Sequence, residues 1–293
     1  MGLGLADSVY LLYFILTIIL IHIKYDIYRI YGYRYNIKES LLVVPSRLSR
    51  IIYSNDIPRT NCNDIQSEKD PREFITWNIQ CLFFYVSPKK TDNLIRELRK
   101  LKCDFICLQE VFEDSIKSKL ISELNDIYPY YLLGNTKKKY KVGEDSGILV
   151  LSKYNIVFNS EYVYENPVSV DRIAGKGILY FSIGRYNFAT SHTQADDYKV
   201  SSEQVKEIYR RSPFDNFIIL GDLNNQDVYN ILNIKSNNNK KTHDDGIIDY
   251  IVPINYKHLQ MNVVVIPLDI DNITDHKPLY AMIKNSQQPE SNR

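Results

Sequence analysis

Apolar positions along this chain follow two rhythms. Short continuous or alternating apolar runs predict strands at 74–79 (FITWNI) and 105–109 (FICLQ), then around 130–134, 146–152, 155–163, 177–184 and 186–191. Four more follow at 217–220, 247–252, 261–266 and 278–283. Helical spacing appears between them. Ser87 and Pro88 open a helix carrying Leu94, Leu98 and Leu101; a second runs from Glu113 to Asn125 and a third from Tyr198 to Arg211. Strands outnumber helices, and the helices are interspersed. That pattern predicts an α/β sandwich, two sheets face to face with helices packed outside.

The amino terminus breaks the rhythm. From Ser8 to Ile23 the chain is almost wholly apolar, with no Asp, Glu, Lys or Arg. Extended back over Gly2 to Ala6, with Asp7 the one charge, it reaches the length of a membrane span, so residues 1–24 are expected to form an anchoring helix. A cleaved signal peptide would carry a basic leading region and a small-residue cleavage site, and neither is evident. Lys24, Arg29, Arg34 and Lys38 follow the span and no Lys or Arg precedes it, so the rest of the chain is expected on the cytoplasmic side of such an anchor. Tyr25, Tyr28, Tyr31, Tyr33 and Tyr35 lie among these basic residues and suit a headgroup layer. Residues 25–71 read as a juxtamembrane segment and linker, 72–285 as the main domain and 286–293 as a tail.

Charge and cysteines narrow the picture. A net charge of +1 argues against a strongly basic nucleic-acid binder. Four cysteines with no CxxC pair, and only five histidines, argue against a zinc cluster. Cys107 lies in an apolar run and reads as a reduced core residue, which suits a reducing compartment.

The strand ends carry the chemistry. In FIILGDLNNQD an apolar run meets Asp222 and Asn224, polar groups that are unfavourable beside a core unless they have partners. Asn78 ends the first strand and Glu110 follows FICLQ. His192 follows YNFATS, Asp249 sits in IIDYIV, and Asp275 and His276 precede PLYAMI. Each alone reads as a cap or a satisfied buried group. Together they resemble a site, because sites collect at strand ends in α/β folds. Carboxylates and amides suit Mg²⁺. A cation, a base and two imidazoles suit in-line attack on a phosphodiester.

The ordered set WN, QE, SGILVLS, SHTQA, GDLNN, IDYI and TDHKP resembles the endonuclease/exonuclease/phosphatase superfamily over about residues 72–285. LQEVFE, DSGILVLSKYNI, DRIAGKG and SHTQA are most similar to the neutral sphingomyelinases within it. GDLN and TDHKPLY are shared with inositol polyphosphate 5-phosphatases, but Gln226 stands where those carry arginine. The resemblance implies a four-layer α/β sandwich, with two mixed, mostly antiparallel sheets flanked by helices. It implies a Mg²⁺-dependent phosphodiesterase acting on sphingomyelin-like phospholipid, with Mn²⁺ as a substitute ion. The alternatives are a Mg²⁺-dependent nuclease of the same superfamily, a phosphoinositide phosphatase, or a tethered binding protein without activity. Phospholipid and membrane are the expected partners, ahead of nucleic acid. By resemblance, Glu110 is the main metal ligand, with Asn78 close by, directly or through water. Asp222 and His276 activate water, Asn224 positions water or phosphate, and His192 contacts phosphate. Asp275 orients His276, and Asp249 supports the set from behind. Lys176 either approaches the phosphate or is a solvated lysine beside a glycine turn. The basic run at 137–141 (KKKYK) reads as a solvated loop.

Overall fold

A computed structural model describes residues 57–81, 88–134, 145–168, 171, 174–268 and 273–284. Strand β1 (Glu73–Cys81) is followed by helix α1 (Pro88–Leu101), β2 (Phe105–Val111), α2 (Asp114–Leu124), β3 (Tyr130–Leu133), β4 (Leu149–Ser152) and β5 (Val157–Val163). Then come β6 (Gly177–Ile183), β7 (Tyr186–His192), α3 (Tyr198–Arg210), β8 (Phe217–Asp222) and the short α4 (Val228–Ile231). Strands β9 (Asp249–Ile254), β10 (Met261–Val265) and β11 (Leu279–Ile283) complete the order.

The strands form two mixed sheets, in the orders β10-β11-β1-β2-β4-β3 and β5-β6-β7-β8-β9. Each sheet contains one parallel pair, β1 with β2 and β7 with β8; the other pairings are antiparallel. A parallel pair needs a crossover connection, and α1 and α3 supply it. Pro88 opens α1, where a missing N–H loses nothing, and Arg99 and Lys100 sit at its carbonyl end. Asp197 caps α3 by accepting from the Lys199 and Val200 backbone N–H groups at 2.9 and 3.0 Å.

Alternation along the strands sorts the core into three apolar clusters. Phe74, Phe105, Phe188, Ile218, Leu220 and Leu279 face the space between the sheets, where Phe74 stacks on Phe105 at 4.9 Å and Phe188 meets Phe105 edge-on at 4.8 Å. Ile75, Trp77, Ile106 and Leu108 face outward under Leu94 and Leu98 of α1 and Leu120 of α2. Ala189, Phe217, Ile219 and Tyr250 do the same under Val205 and Ile208 of α3. Each fully buried large apolar side chain contributes about 1.5–3 kcal/mol. The expected sandwich of two mixed sheets with helices outside is therefore what forms.

Residues 57–71, which the sequence assigns to a linker, lie along this domain. Leu133 N–H donates to the Arg59 carbonyl at 2.8 Å, Thr60 Oγ1 to the Tyr131 carbonyl at 2.7 Å, and Arg59 pairs with Glu161 at 2.5 Å. Cys107 is buried with a free thiol, as expected. The helix expected near 8–23, the segment 25–56, the run at 137–141 and the tail 286–293 lie outside the described residues. Among the described residues no helix is long and apolar enough to cross a membrane.

Candidate active site

Both parallel pairs end at the same end of the sandwich, where the carboxyl ends of strands open a crevice. On β7 and β8 the alternation that fills the core runs on into it. Phe188 and Thr190 lead to His192, and Ile218 and Leu220 lead to Asp222. His192 is the register partner of Asp222, and Asp222 of Asp249 at the start of β9. Gly221 makes the approach achievable. Its φ is +146°, and a Cβ there would stand 2.0 Å from the Ser191 carbonyl oxygen.

β1 and β2 arrive differently. Asn78 continues the inward face after Phe74 and Thr76. On β2, however, Ile106, Leu108 and Val111 all pack outward, so the phase slips by one residue at Glu110. Glu110 has φ +59°, and Gln80, across a register shift in β1, has φ +47°. Such irregularities re-aim side chains, and here they turn the Glu110 carboxylate inward.

The groups meet at short range. Asn78 Nδ2 donates to Glu110 Oε1 at 3.0 Å and to Asp222 Oδ2 at 2.9 Å, and its Oδ1 accepts from the Gln80 N–H at 3.0 Å. It thus separates two carboxylates that would otherwise repel. His192 Nε2 lies 3.6 Å from Glu110 Oε1 and 3.7 Å from Asp222 Oδ2. His276 Nε2 lies 3.7 Å from Asp222 Oδ2, and its Nδ1 lies 2.9 Å from Asp249 Oδ2. Thr274 Oγ1 donates to the Asn78 carbonyl at 2.9 Å, and the His276 carbonyl accepts from Trp77 Nε1 at 2.9 Å. These bonds tie the segment before β11 to β1.

Burial sets the charges. It raises the Glu110 carboxyl above its usual range, against the Asn78 bond and the positive charges of Lys176 and His276. It raises Asp222 to about 6, helped by Asp249 and opposed by His276 and Asn78. Burial alone would lower His276, but Asp249 and Asp222 outweigh it and push the imidazole up to about 10. His192 goes well down, through burial first and then the charges of Lys176 and His276, so it is a neutral imidazole. Among the described residues, Glu110 Oε2, His192 Nδ1 and Asp249 Oδ1 are buried without hydrogen-bond partners. A buried carboxylate oxygen without a partner is strongly unfavourable, and a divalent cation is the partner that an oxygen-rich set fits best. The ligating atoms of Glu110, His192 and Asp222 lie within 4.8 Å of one another, as do those of Asp222, Asp249 and His276.

All of the sequence-predicted residues come to this end, with two roles altered. Asp249, not Asp275, holds His276 Nδ1. Asp275 Oδ1 is 3.8 Å from His276 Nε2, while its Oδ2 accepts from Gln80 Nε2 at 3.0 Å. Asn224, at φ +42°, donates from Nδ2 to the Thr193 carbonyl at 3.1 Å, and its backbone N–H donates to Asp222 Oδ1 at 3.0 Å. Lys176 is 4% exposed, so the solvated alternative fails. Its Nζ is 3.2 Å from His192 Nε2, 3.0 Å from Asp171 Oδ1 and 2.9 Å from the Thr193 carbonyl. Gln80, Thr274 and His243 were not singled out in the sequence. His243 lies in a polar loop, and its one signal is the scarcity of histidine.

The sequence pattern of the Endonuclease/Exonuclease/phosphatase family matches residues 75–253. The chain is 28% identical to Sphingomyelinase C of Listeria ivanovii over 169 residues, 45% of this chain and 50% of that protein. It is 26% identical to Phospholipase C of Staphylococcus aureus over 200 residues, 56% of this chain and 61% of that one. The matches thus span about half to three-fifths of those relatives. A beta toxin mutant from Staphylococcus aureus, solved with bound magnesium ions, shares the fold at a TM-score of 0.61 and 19% identity, covering 73% of this chain and 100% of that one.

Proposed function

Because this chain belongs to the Endonuclease/Exonuclease/phosphatase family, we propose that its phosphodiesterase site is a Mg²⁺-dependent one that hydrolyses sphingomyelin-like phospholipid to ceramide and phosphocholine. The observation that carries the chemistry is the buried, unpartnered Glu110 Oε2 on a carboxylate whose ligating atom lies within 4.8 Å of those of His192 and Asp222. The lipid substrate is supported by relatives named Sphingomyelinase C and Phospholipase C. The phosphoryl-transfer chemistry itself is common to the whole family.

Glu110, with Asn78 beside it, would hold Mg²⁺, or Mn²⁺ in its place; the ion would polarise a phosphoryl oxygen. The protein's own groups do the rest. Asp222 and His276 act as one acid–base unit that accepts the proton of the attacking water. Asp249 fixes the imidazole through Nδ1, so that Nε2 faces Asp222 and the crevice. His192, neutral and with Lys176 at its Nε2, contacts the phosphate with Lys176 as the accompanying cation. Asn78 keeps Glu110 and Asp222 apart at bonding distance from one amide. Asn224 borders the water or phosphate site, and Asp275 fixes the Gln80 side chain at its rim. An anchor at residues 8–23 would hold this domain at a lipid surface, a part of the proposal that rests on the sequence.

The test offers the full chain sphingomyelin micelles and plain or abasic duplex DNA side by side, across a magnesium titration. Release of phosphocholine alone, abolished in Glu110→Gln at every magnesium concentration, is the expected result. Cleavage of DNA alone would replace the lipid reading. Turnover by Glu110→Gln with unchanged magnesium dependence would remove that residue from the metal site.

A further inference from the structure

Next to the acid–base unit is a group that the proposed reaction does not use. His243 lies in a tight turn closed by Thr242 and His243 N–H bonds to the Gly246 carbonyl at 3.0 and 3.1 Å, and by a return bond from Gly246 N–H to the His243 carbonyl at 3.1 Å. The Lys277 N–H donates to the Thr242 carbonyl at 2.8 Å, which fixes this turn against the segment bearing Asp275 and His276. The His243 and His276 rings lie 4.7 Å apart at 41°. His243 Nε2 is 3.5 Å from Asp275 Oδ2, and His276 Nε2 is 3.8 Å from Asp275 Oδ1.

These separations have a chemical meaning. Ligands about 2.1 Å from a tetrahedral ion stand about 3.4 Å from one another. The three ligating atoms lie within 4.8 Å of each other. Each imidazole also has a carboxylate at its far nitrogen: Asp249 Oδ2 at 2.9 Å from His276 Nδ1, and Asp245 Oδ2 at 3.3 Å from His243 Nδ1. A carboxylate behind each ligating histidine fixes the tautomer that leaves Nε2 free for a metal. At present the Asp245 backbone N–H donates to His243 Nδ1 at 3.1 Å. Ligation requires Nδ1 to carry the proton instead, and the Asp245 carboxylate is placed to accept it.

We propose that His243, Asp275 and His276 form a second metal site, selective for a divalent transition ion such as Zn²⁺. Two imidazoles and one carboxylate suit Zn²⁺ and Co²⁺, whereas Mg²⁺ prefers oxygen. It shares no residue with the Glu110, His192 and Asp222 group, but shares His276 with the Asp222, Asp249 and His276 group, from which His243 distinguishes it. It contains no cysteine, so it differs in kind from the zinc cluster that the sequence argues against. If the reaction is as proposed above, an ion on His276 Nε2 displaces the proton there to solvent and withdraws that atom from the acid–base unit. Such an ion would then inhibit hydrolysis.

The test needs no substrate, so its failure and that of the proposed reaction are separable. Metal-free full chain is titrated with Zn²⁺ alone by calorimetry, and with Co²⁺ alone by visible absorption. Beyond any ion taken up at Glu110, one equivalent of Zn²⁺ should bind. His243→Ala should weaken it about 10-fold or more, while Glu110→Gln leaves it unchanged. Asp245→Asn, on a side chain 79% exposed, should weaken binding about 10-fold without disturbing the fold, and it decides the matter if His243→Ala does not fold. Absence of Zn²⁺ binding, equal affinity in the His243→Ala and Asp245→Asn variants, or loss of the site in Glu110→Gln would each overturn the proposal.

Discussion

The two parallel strand pairs deliver the same kind of cargo by different means. β7 and β8 carry His192 and Asp222 inward by unbroken alternation, and the one left-handed residue on β8 is a glycine, Gly221. On the other pair Asn78 still arrives by alternation along β1, but β2 carries Glu110 there through a slip of phase beside a register shift in β1, with Gln80 and Glu110 themselves at positive φ. A non-glycine residue held this way costs about 1–3 kcal/mol. On the regular pair Asp222 accepts from Asn78 and is approached by the His192 and His276 imidazoles, while His192 Nδ1 stays without a partner. The strained pair holds the carboxylate with an oxygen left over. In the proposed reaction, backbone strain lies beside the ion and regular structure beside the base Asp222.

Substitutions on the two sides should differ accordingly. The largest effect belongs to the proton-handling side: His276→Ala should lower the magnesium-supported hydrolysis rate by about 10²–10⁴-fold, with near-normal rates removing the imidazole from the reaction. Gly221→Ala should destabilise the domain by about 2–4 kcal/mol, because its Cβ meets the Ser191 backbone. An unchanged urea midpoint would show that β7 and β8 do not need their close approach.

The pH dependence of stability comes next. His276 rises from its ordinary 6.5 to about 10 in the fold, so it contributes stability that is fully present below pH 6.5 and lost as pH rises toward 10. Asp222, raised to about 6, acts in the same sense at lower pH: its contribution is present below its ordinary 3.8 and lost as pH rises through 6. Metal-free protein should thus lose on the order of a few kcal/mol between pH 6.5 and 10, and His276→Ala should flatten that slope. A slope unchanged by the substitution would show that Asp249 and Asp222 do not hold the imidazolium.

The smallest effect is also the sharpest test of the strained side. Glu110→Gly relieves the left-handed residue and removes a buried carboxylate, so it should raise stability by about 1 kcal/mol while abolishing magnesium-dependent turnover. A loss of stability instead would mean that Glu110 is held by favourable contacts rather than against strain.

The sequence by itself determined the elements and one half of the site. Apolar runs fix strand positions because burial is local to each residue, and period-2 alternation in YNFATSH and FIILGD already points His192 and Asp222 inward. The strand-end position after FICLQ supplied Glu110 and the family likeness in LQEVFE its metal role, although alternation would have sent it to the helical face. Tertiary structure alone decided the phase slip at Glu110, the choice of Asp249 over Asp275 behind His276, the burial of Lys176 and the arrival of His243. Each depends on which distant segments meet, such as the Lys277 bond to Thr242 across the turn. Spacing along a chain carries no record of such a meeting, because hydrogen bonds and charges act through space.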